Sequence, residues 1–316
     1  MNVLVVDDYQ RATATLACAA RLAPHRLVVL GDLAREPAAA AALADAEALV
    51  LIRERTQVDA AFLRRTPRLR VVSQTGKVAR NVDVAACSAA GVAVVEGTGS
   101  PVAPAELAWL LMMAARRRFV DGVNGLYRGQ WQTTLGMAMH GARLGILGYG
   151  RIGKRVAGYG RAFGMRVEVW GSERARAEAR ADGLEAATAR DAFFAGNDIV
   201  SVHLRLVPAT EGSIGAADLA RMQPDALFVN TSRAELVAPG VLEAALRTGR
   251  PGAAALDVFA VEPIYDPDHE LLRMPNVLCS PHLGYVERAS YELYLGAAFD
   301  NVLRFAAGDR SHVINP

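Results

Sequence analysis

The sequence predicts an α/β protein: two doubly wound parallel-sheet domains with a cleft between them. Three observations predict it. Short β-branched runs alternate with Ala-rich helical stretches from one end to the other, the pattern of βαβ units. The alternation restarts after Gly141, giving two series in tandem and therefore two sheets. The chain has 316 residues, 52% of them hydrophobic, enough for two ordinary domains at roughly 100–200 residues each.

In the first series the strands fall at 3–6, 27–30, 48–52, 69–73 and 92–95. Helices are expected near 11–20, 37–46, 59–64 and 84–90, the last with Asp83 as N-cap and Gly91 as its stop. Gly97-Thr98-Gly99-Ser100-Pro101 is rich in breakers and reads as a hinge. A single helix is expected over 104–118, with Pro104 in its first turn, Glu106 near the positive end of its dipole and Arg116–Arg118 near the negative end. Its body, 107–115, is apolar all round, so every face needs a cover, from the other lobe or from a second copy of the chain. In the second series the strands fall at 144–147, 167–170, 199–203, 226–229, 253–257 and 277–280, with helices at 152–163, 175–181, 216–222 and 238–247. A long helix over 287–307 is expected to return to the first lobe.

Composition excludes several function classes. Lys plus Arg (35) nearly balances Asp plus Glu (33), for a net charge of +2, which argues against a nucleic-acid binder. Cys18, Cys87 and Cys279 are odd in number and widely spread, which suits a reducing compartment rather than a disulfide framework or a metal site. No apolar run reaches the ~18 residues of a membrane span, and the first residues lack a signal-peptide pattern. A cytoplasmic protein with no membrane or nucleic-acid partner and no bound metal is the expectation.

Leu144–Gly153 reads as a strand entering Gly148-Tyr149-Gly150-Arg151-Ile152-Gly153 and then a helix. The G-x-G-x-x-G spacing has a physical purpose. Gly148 makes the tight turn, Gly150 admits a pyrophosphate, and Gly153 lets helix and strand pack closely. The helix start then offers N–H groups and a positive dipole end to the phosphates. A dinucleotide is the expected ligand. An acidic residue at the end of the next strand ordinarily binds the adenine ribose. Here that place holds Gly171-Ser172, followed by Glu173 and Arg174. Glu173 suits the ribose of NAD, and Ser172 with Arg174 suits the 2′-phosphate of NADP, so the cofactor is read as NAD with NADP as the alternative.

Three later strands each end in a polar residue: Arg233 after 226–229, Glu262 after 253–257 and His282 after 277–280. In a parallel sheet all three share the edge that carries the glycine turn. An Arg there grips a substrate carboxylate in bidentate fashion and polarises the neighbouring carbonyl. A His exchanges the proton on that oxygen, and a carboxylate on its other ring nitrogen fixes the tautomer. Singly, each of these residues is ordinary in a loop; the ordered trio is what signals chemistry. No H-E-x-x-H motif or Cys/His cluster is present, which disfavours a metal-dependent hydrolase.

The trio downstream of Gly148–Gly153 resembles the D-isomer-specific 2-hydroxyacid dehydrogenases, as do Asp198–Leu204, Asn230–Arg233, Leu256–Phe259 with Glu262-Pro263, and Pro275–His282. In the first lobe, Thr75-Gly76-Lys77 and Asn81-Val82-Asp83 resemble the loop whose N–H groups hold the substrate carboxylate. The resemblance implies a discontinuous substrate-binding domain (1–101 plus 287–316), an inserted dinucleotide-binding domain (102–286) and a homodimer built on the latter. It implies that Arg233, Glu262 and His282 are catalytic, and that Gly76, Lys77 and Arg233 bind a small 2-oxo or 2-hydroxy acid. Arg53, at the end of a first-lobe strand, is a further candidate on the substrate side. The cofactor would meet the Gly148–Gly153 turn, the 172–174 loop, His203, Thr231 and Asp257, with His203 serving as packing. A second reading is a nicotinamide-redox-sensing binding protein of the same fold, resembling the C-terminal-binding-protein corepressors. The chain departs from the family pattern at Val78, Arg80, Gly171, Arg205 and Ala234, which bears on substrate and cofactor preference.

Overall fold

The computed structural model describes residues 1–315, in two compact units: 1–100 with 286–315, and Pro101–Tyr285. The three cysteines are free thiols. No helix among the described residues is long and apolar enough to cross a membrane.

The first unit is built on a five-stranded parallel sheet. Its strands are β1 (Asn2–Val6), β2 (Arg26–Val29), β3 (Ala48–Leu51), β4 (Val71–Gln74) and β5 (Ala93–Glu96), in the order β2-β1-β3-β4-β5. Val3, Val5, Leu49, Val50 and Val72 are wholly buried, as strands covered on both faces require. Asp59 and Asp83 cap the helices Ala60–Arg64 and Val84–Ala89, each carboxylate accepting from the N3 backbone N–H. Glu287 caps the helix Arg288–Ala306, which packs on β3 and β4 within this unit. Where one helix was expected over 11–20, the chain forms two 3-10 helices, Thr13–Thr15 and Ala17–Leu22. The Asp8 carboxylate accepts from Ala12 and Thr13 N–H, and Glu292 accepts from Ala17 and Cys18 N–H. Those side chains hold the segment in short turns against the long helix.

The second unit holds seven parallel strands: β6 (Arg143–Leu147), β7 (Arg166–Trp170), β8 (Glu185–Ala186), β9 (Ile199–Val202), β10 (Leu227–Asn230), β11 (Ala253–Leu256) and β12 (Val277–Cys279). Their order is β12-β11-β10-β9-β6-β7-β8, the reversal at β6 being typical of a doubly wound sheet. Alternate residues feed two cores: Val200, Val202, Phe228, Ala254 and Leu256 on one face, Leu144, Ile146, Leu227, Val229 and Ala255 on the other. Two-residue β8 has too little pattern to read from sequence.

The helix expected over 104–118 runs Val102–Arg116 and packs on β10, β11 and the helix Arg151–Ala162. It ends because Arg118 adopts a left-handed conformation (φ 48°) and caps a second helix, Phe119–Tyr127. The expectation that every face is covered fails within the chain: Ala105, Ala108 and Met112 are wholly buried, but Leu110 is 60% exposed.

At the end of β1, buried Asp7 takes a left-handed conformation (φ 64°) and accepts from the Thr56 hydroxyl at 2.7 Å. Burial lifts its pKa from 3.8 to about 6, against the pull of Thr56 and Arg55. A raised carboxyl pKa stabilises the fold fully below the unfolded value and loses that contribution as pH rises through the folded one. Asp7→Asn should therefore raise the unfolding temperature at pH 8, by up to about 3 kcal/mol of stability, and change it little at pH 4. An equal effect at both pH values in thermal melts would contradict this.

Candidate active site

The ends of β10, β11 and β12 carry the residues that matter. At β10, Asn230 accepts from Ser232 N–H (3.0 Å) and donates to the Arg233 carbonyl (2.8 Å), folding the strand exit into an Asx-type turn. The Ser232 hydroxyl donates to the Val202 carbonyl, tying the turn to β9. Arg233 is half-buried, its Nη1 donating to the Ser232 carbonyl at 2.7 Å. Thr231 lies half-buried between Asn230 and Ser232.

At β11, Asp257 is wholly buried. Its carboxylate accepts from the Ser280 hydroxyl (2.6 Å) and from the N–H groups of Leu283 (2.7 Å) and Gly284 (2.9 Å). Burial pushes its pKa up, and these donors together with His282 pull it back. Asp257 thus clamps the loop after β12. In that loop His282 takes a left-handed conformation, φ 52°, a state His tolerates better than most residues. The ring Nδ1 lies 2.6 Å from Glu262 Oε2, while Glu262 Oε1 accepts from Phe259 N–H at 2.9 Å. The Tyr285 ring meets the imidazole edge-on at 5.6 Å. With Nδ1 committed to Glu262, Nε2 is the atom left for proton exchange.

The glycine turn lies on the same strand edge. Gly148 has φ 98°, and a Cβ there would come within 2.9 Å of the His203 carbonyl. A Cβ on Gly153 would sit 2.2 Å from the Gly148 carbonyl oxygen. Above Gly150, by contrast, a Cβ would meet nothing within 4 Å. No side chain caps the helix that Gly150 starts, and its first helical bond is Lys154 N–H to Gly150 O, so the N–H groups of Arg151, Ile152 and Gly153 precede it. Open space facing uncapped N–H groups fits the pyrophosphate of a dinucleotide. Tyr149 anchors the turn through its hydroxyl, which donates to Asp182 at 3.0 Å; burial and that carboxylate push its pKa up to about 12.

His203 directly follows β9 on the same edge. Its Nε2 pairs with the Ser201 hydroxyl at 2.9 Å, and burial pushes its pKa down to about 4, so the ring stays neutral packing. At the end of β7, Ser172 Oγ accepts from Ala175 N–H as an N-cap, and Glu173 pairs with Arg176 (2.6 Å) and Arg180 (2.9 Å). Arg174 is exposed.

In the first unit, Arg53 follows β3 with φ 63°, its N–H donating to Thr75 Oγ1 and its carbonyl accepting from Gln74 Nε2. A Cβ on Gly76 would lie 3.1 Å from Arg53 Nη1, so guanidinium and loop are brought together. The Lys77 side chain turns away to Glu96 (2.5 Å), whose other oxygen accepts from Val78 N–H.

Asn230, Glu96 and the clamping role of Asp257 escape a reading of the sequence. An Asn closing a strand before Thr-Ser-Arg signals an Asx turn, and a carboxylate directly after an apolar strand signals a buried acceptor that must be satisfied. Among the described residues, no three His, Cys, Asp or Glu side chains cluster as metal ligands.

Residues 109–284 match the model of the D-isomer-specific 2-hydroxyacid dehydrogenase NAD-binding domain. The chain belongs to that family. It is accordingly a nicotinamide-dinucleotide-dependent oxidoreductase of 2-hydroxyacids. Among its relatives, glyoxylate reductase of Aeropyrum pernix is 37% identical over 80% of this chain and 78% of its own length. D-3-phosphoglycerate dehydrogenase of Mycobacterium leprae is 38% identical over 77% of this chain, which spans only 46% of that relative. A Ralstonia solanacearum crystal structure, of a protein given provisionally as a D-3-phosphoglycerate dehydrogenase oxidoreductase, superposes with a TM-score of 0.95. It is 50% identical and covers 100% of this chain and 97% of its own.

Two of the three glycines in the helix Arg151–Ala162 make a paired test. Gly153→Ala should weaken NADH binding at least about tenfold, because a 2.2 Å approach to a carbonyl must be relieved by moving the helix start. Gly158→Ala, with open space around it, should stabilise the fold by about 0.5–1 kcal/mol and leave binding unchanged. Calorimetric titration and thermal melts read both, and equal effects would refute the geometric account.

Proposed function

We propose that this enzyme reduces and oxidises small D-2-hydroxy/2-oxo acid pairs, with Arg233, Glu262 and His282 as its catalytic residues. The bound dinucleotide supplies or accepts the hydride at substrate C2. Arg233 binds the substrate carboxylate and polarises the adjacent carbonyl oxygen. His282 gives that oxygen a proton from Nε2 in reduction and takes it back in oxidation. Glu262 orients the imidazole and balances its charge while the proton is held. The observation that carries this reading is the 2.6 Å contact between His282 Nδ1 and Glu262, itself oriented by Phe259 N–H.

For the first unit, we assign the Gly76 and Lys77 N–H groups and the Arg53 guanidinium to the substrate's anionic end. Arg53 Nη1 beside Gly76 supports this. Among the cofactor contacts, Thr231 and Asp257 retain their assignment on the same strand edge, with Asp257 acting also through the His282 loop.

His282→Ala should lower kcat by about 10²–10⁴ in 2-oxo-acid-dependent NAD(P)H oxidation while leaving dinucleotide affinity intact. Arg233→Lys should act mainly on substrate KM and kcat/KM, since an ammonium cannot make the bidentate contact. Full activity in His282→Ala would remove the residue from its role.

The enzyme is further proposed to work as a homodimer. Phe119, Leu126, Trp131 and Leu135 are exposed by 63%, 56%, 75% and 93%, a run of apolar surface suited to a second copy. Sedimentation should give twice 33.6 kDa, and Leu135→Asp should shift it toward monomer; a monomeric wild type contradicts the proposal.

A further inference from the structure

We propose that the adenine-ribose end of the cofactor site is built for a 2′-phosphate, so that the chain prefers NADP(H) to NAD(H), with Arg174 and Ser172 as the discriminating residues. This deepens the proposed function and rests on its assignment of a dinucleotide to the Gly148–Gly153 turn.

The argument starts from where the end of β7 lies. A Cβ built on Gly171 would come within 3.8 Å of Gly148 Cα and 3.9 Å of Gly148 N. The residues after β7 therefore sit beside the turn that faces the pyrophosphate, where the adenosine ribose of a bound dinucleotide has to lie. A site for NAD places a carboxylate there to accept from the ribose 2′-hydroxyl. This chain has Gly171, with no side chain, at that point.

Glu173 is the one nearby carboxylate in the loop, and it is already engaged. Its Oε2 lies 2.6 Å from Arg176 Nη2 and its Oε1 2.9 Å from Arg180 Nη2. The Arg180 and Arg176 guanidiniums hold its carboxyl below the usual carboxylate range. Both oxygens thus point back along the helix Glu173–Ala181 rather than to a ribose. Arg176 is itself fixed by stacking, its guanidinium carbon 4.5 Å from the centre of the Trp170 ring. The helix Glu173–Ala181 carries three guanidiniums, Arg174, Arg176 and Arg180, and two carboxylates, Glu173 and Glu178, the latter held by Lys154 at 2.7 Å. That segment is positive by one charge.

Two donors remain. Arg174 is exposed, and no hydrogen bond or ion pair joins it to another described residue. The Ser172 hydroxyl accepts from Ala175 N–H at 3.3 Å, which leaves its own hydrogen to donate. A hydroxyl and an unpaired guanidinium two residues apart suit a phosphate monoester, whereas a 2′-hydroxyl would meet no free carboxylate there.

The test is equilibrium binding, independent of turnover. Titration calorimetry of the whole protein should give NADPH a dissociation constant about tenfold or more below that of NADH, the worth of one charge-assisted hydrogen bond. The fragment 2′,5′-ADP should likewise bind more tightly than 5′-ADP, and the NADPH advantage should shrink as salt rises. Arg174→Ala should weaken NADPH by about three- to tenfold and leave NADH unchanged. Gly171→Asp should invert the preference; because its Cβ would lie 3.3 Å from Ala175 Cβ, the exposed Arg174 variant is the independent arm if that protein folds poorly. NADH binding as tightly as NADPH, or an Arg174→Ala protein with undiminished NADPH affinity, would overturn this preference and leave the proposed reaction standing. Failure of both dinucleotides to bind would overturn the two together.

Discussion

One buried carboxylate holds the proposed reaction site together. Asp257 gathers the Ser280 hydroxyl and two backbone N–H groups from the loop that follows the last strand of its sheet. Those three bonds satisfy a charge that burial would otherwise make costly. In doing so they fix a five-residue turn in which His282 adopts a left-handed backbone. The ring can then reach Glu262, which the Phe259 N–H has already oriented. A chain of pairwise bonds thus runs from a strand end to a single ring nitrogen, and the proposed chemistry depends on every link.

The parallel sheet explains why such a chain can form. Because β9 through β12 run the same way, their exits lie along one edge, and short loops suffice to bring an arginine, an acid and an imidazole onto it. The same geometry puts the glycine turn on that edge. There, shape is controlled by absence: a Cβ at 148 or 153 would collide with backbone, whereas the space over Gly150 stays open to a ligand. At the end of β7 a missing side chain and a glutamate tied to two arginines leave Arg174 as the proposed contact for the ribose end.

Much of this was legible in the sequence because buried parallel strands are nearly continuous apolar runs, and helices such as Ala39–Asp45 and Arg151–Ala162 alternate with them. The glycine spacing and the ordered trio were legible because each obeys a local rule. What stayed hidden depends on long-range partners. The turns over 13–22 exist because Asp8 and, from 274–275 residues downstream, Glu292 bond their N–H groups; the local Ala-rich composition favours a helix. The break after Arg116 comes from one left-handed residue, Arg118, of a type that rarely adopts it. Asp257 looked like a ligand for a cofactor; its role as a clamp needed the loop contacts to be seen.

The tautomer of His282 tests the account most directly. Long-range 15N–1H correlation spectra of the protein with the ring neutral should show the hydrogen on Nδ1 and an unprotonated Nε2, and Glu262→Gln should disturb that assignment. A ring that carries its hydrogen on Nε2, or one indifferent to the loss of the Glu262 charge, would contradict it.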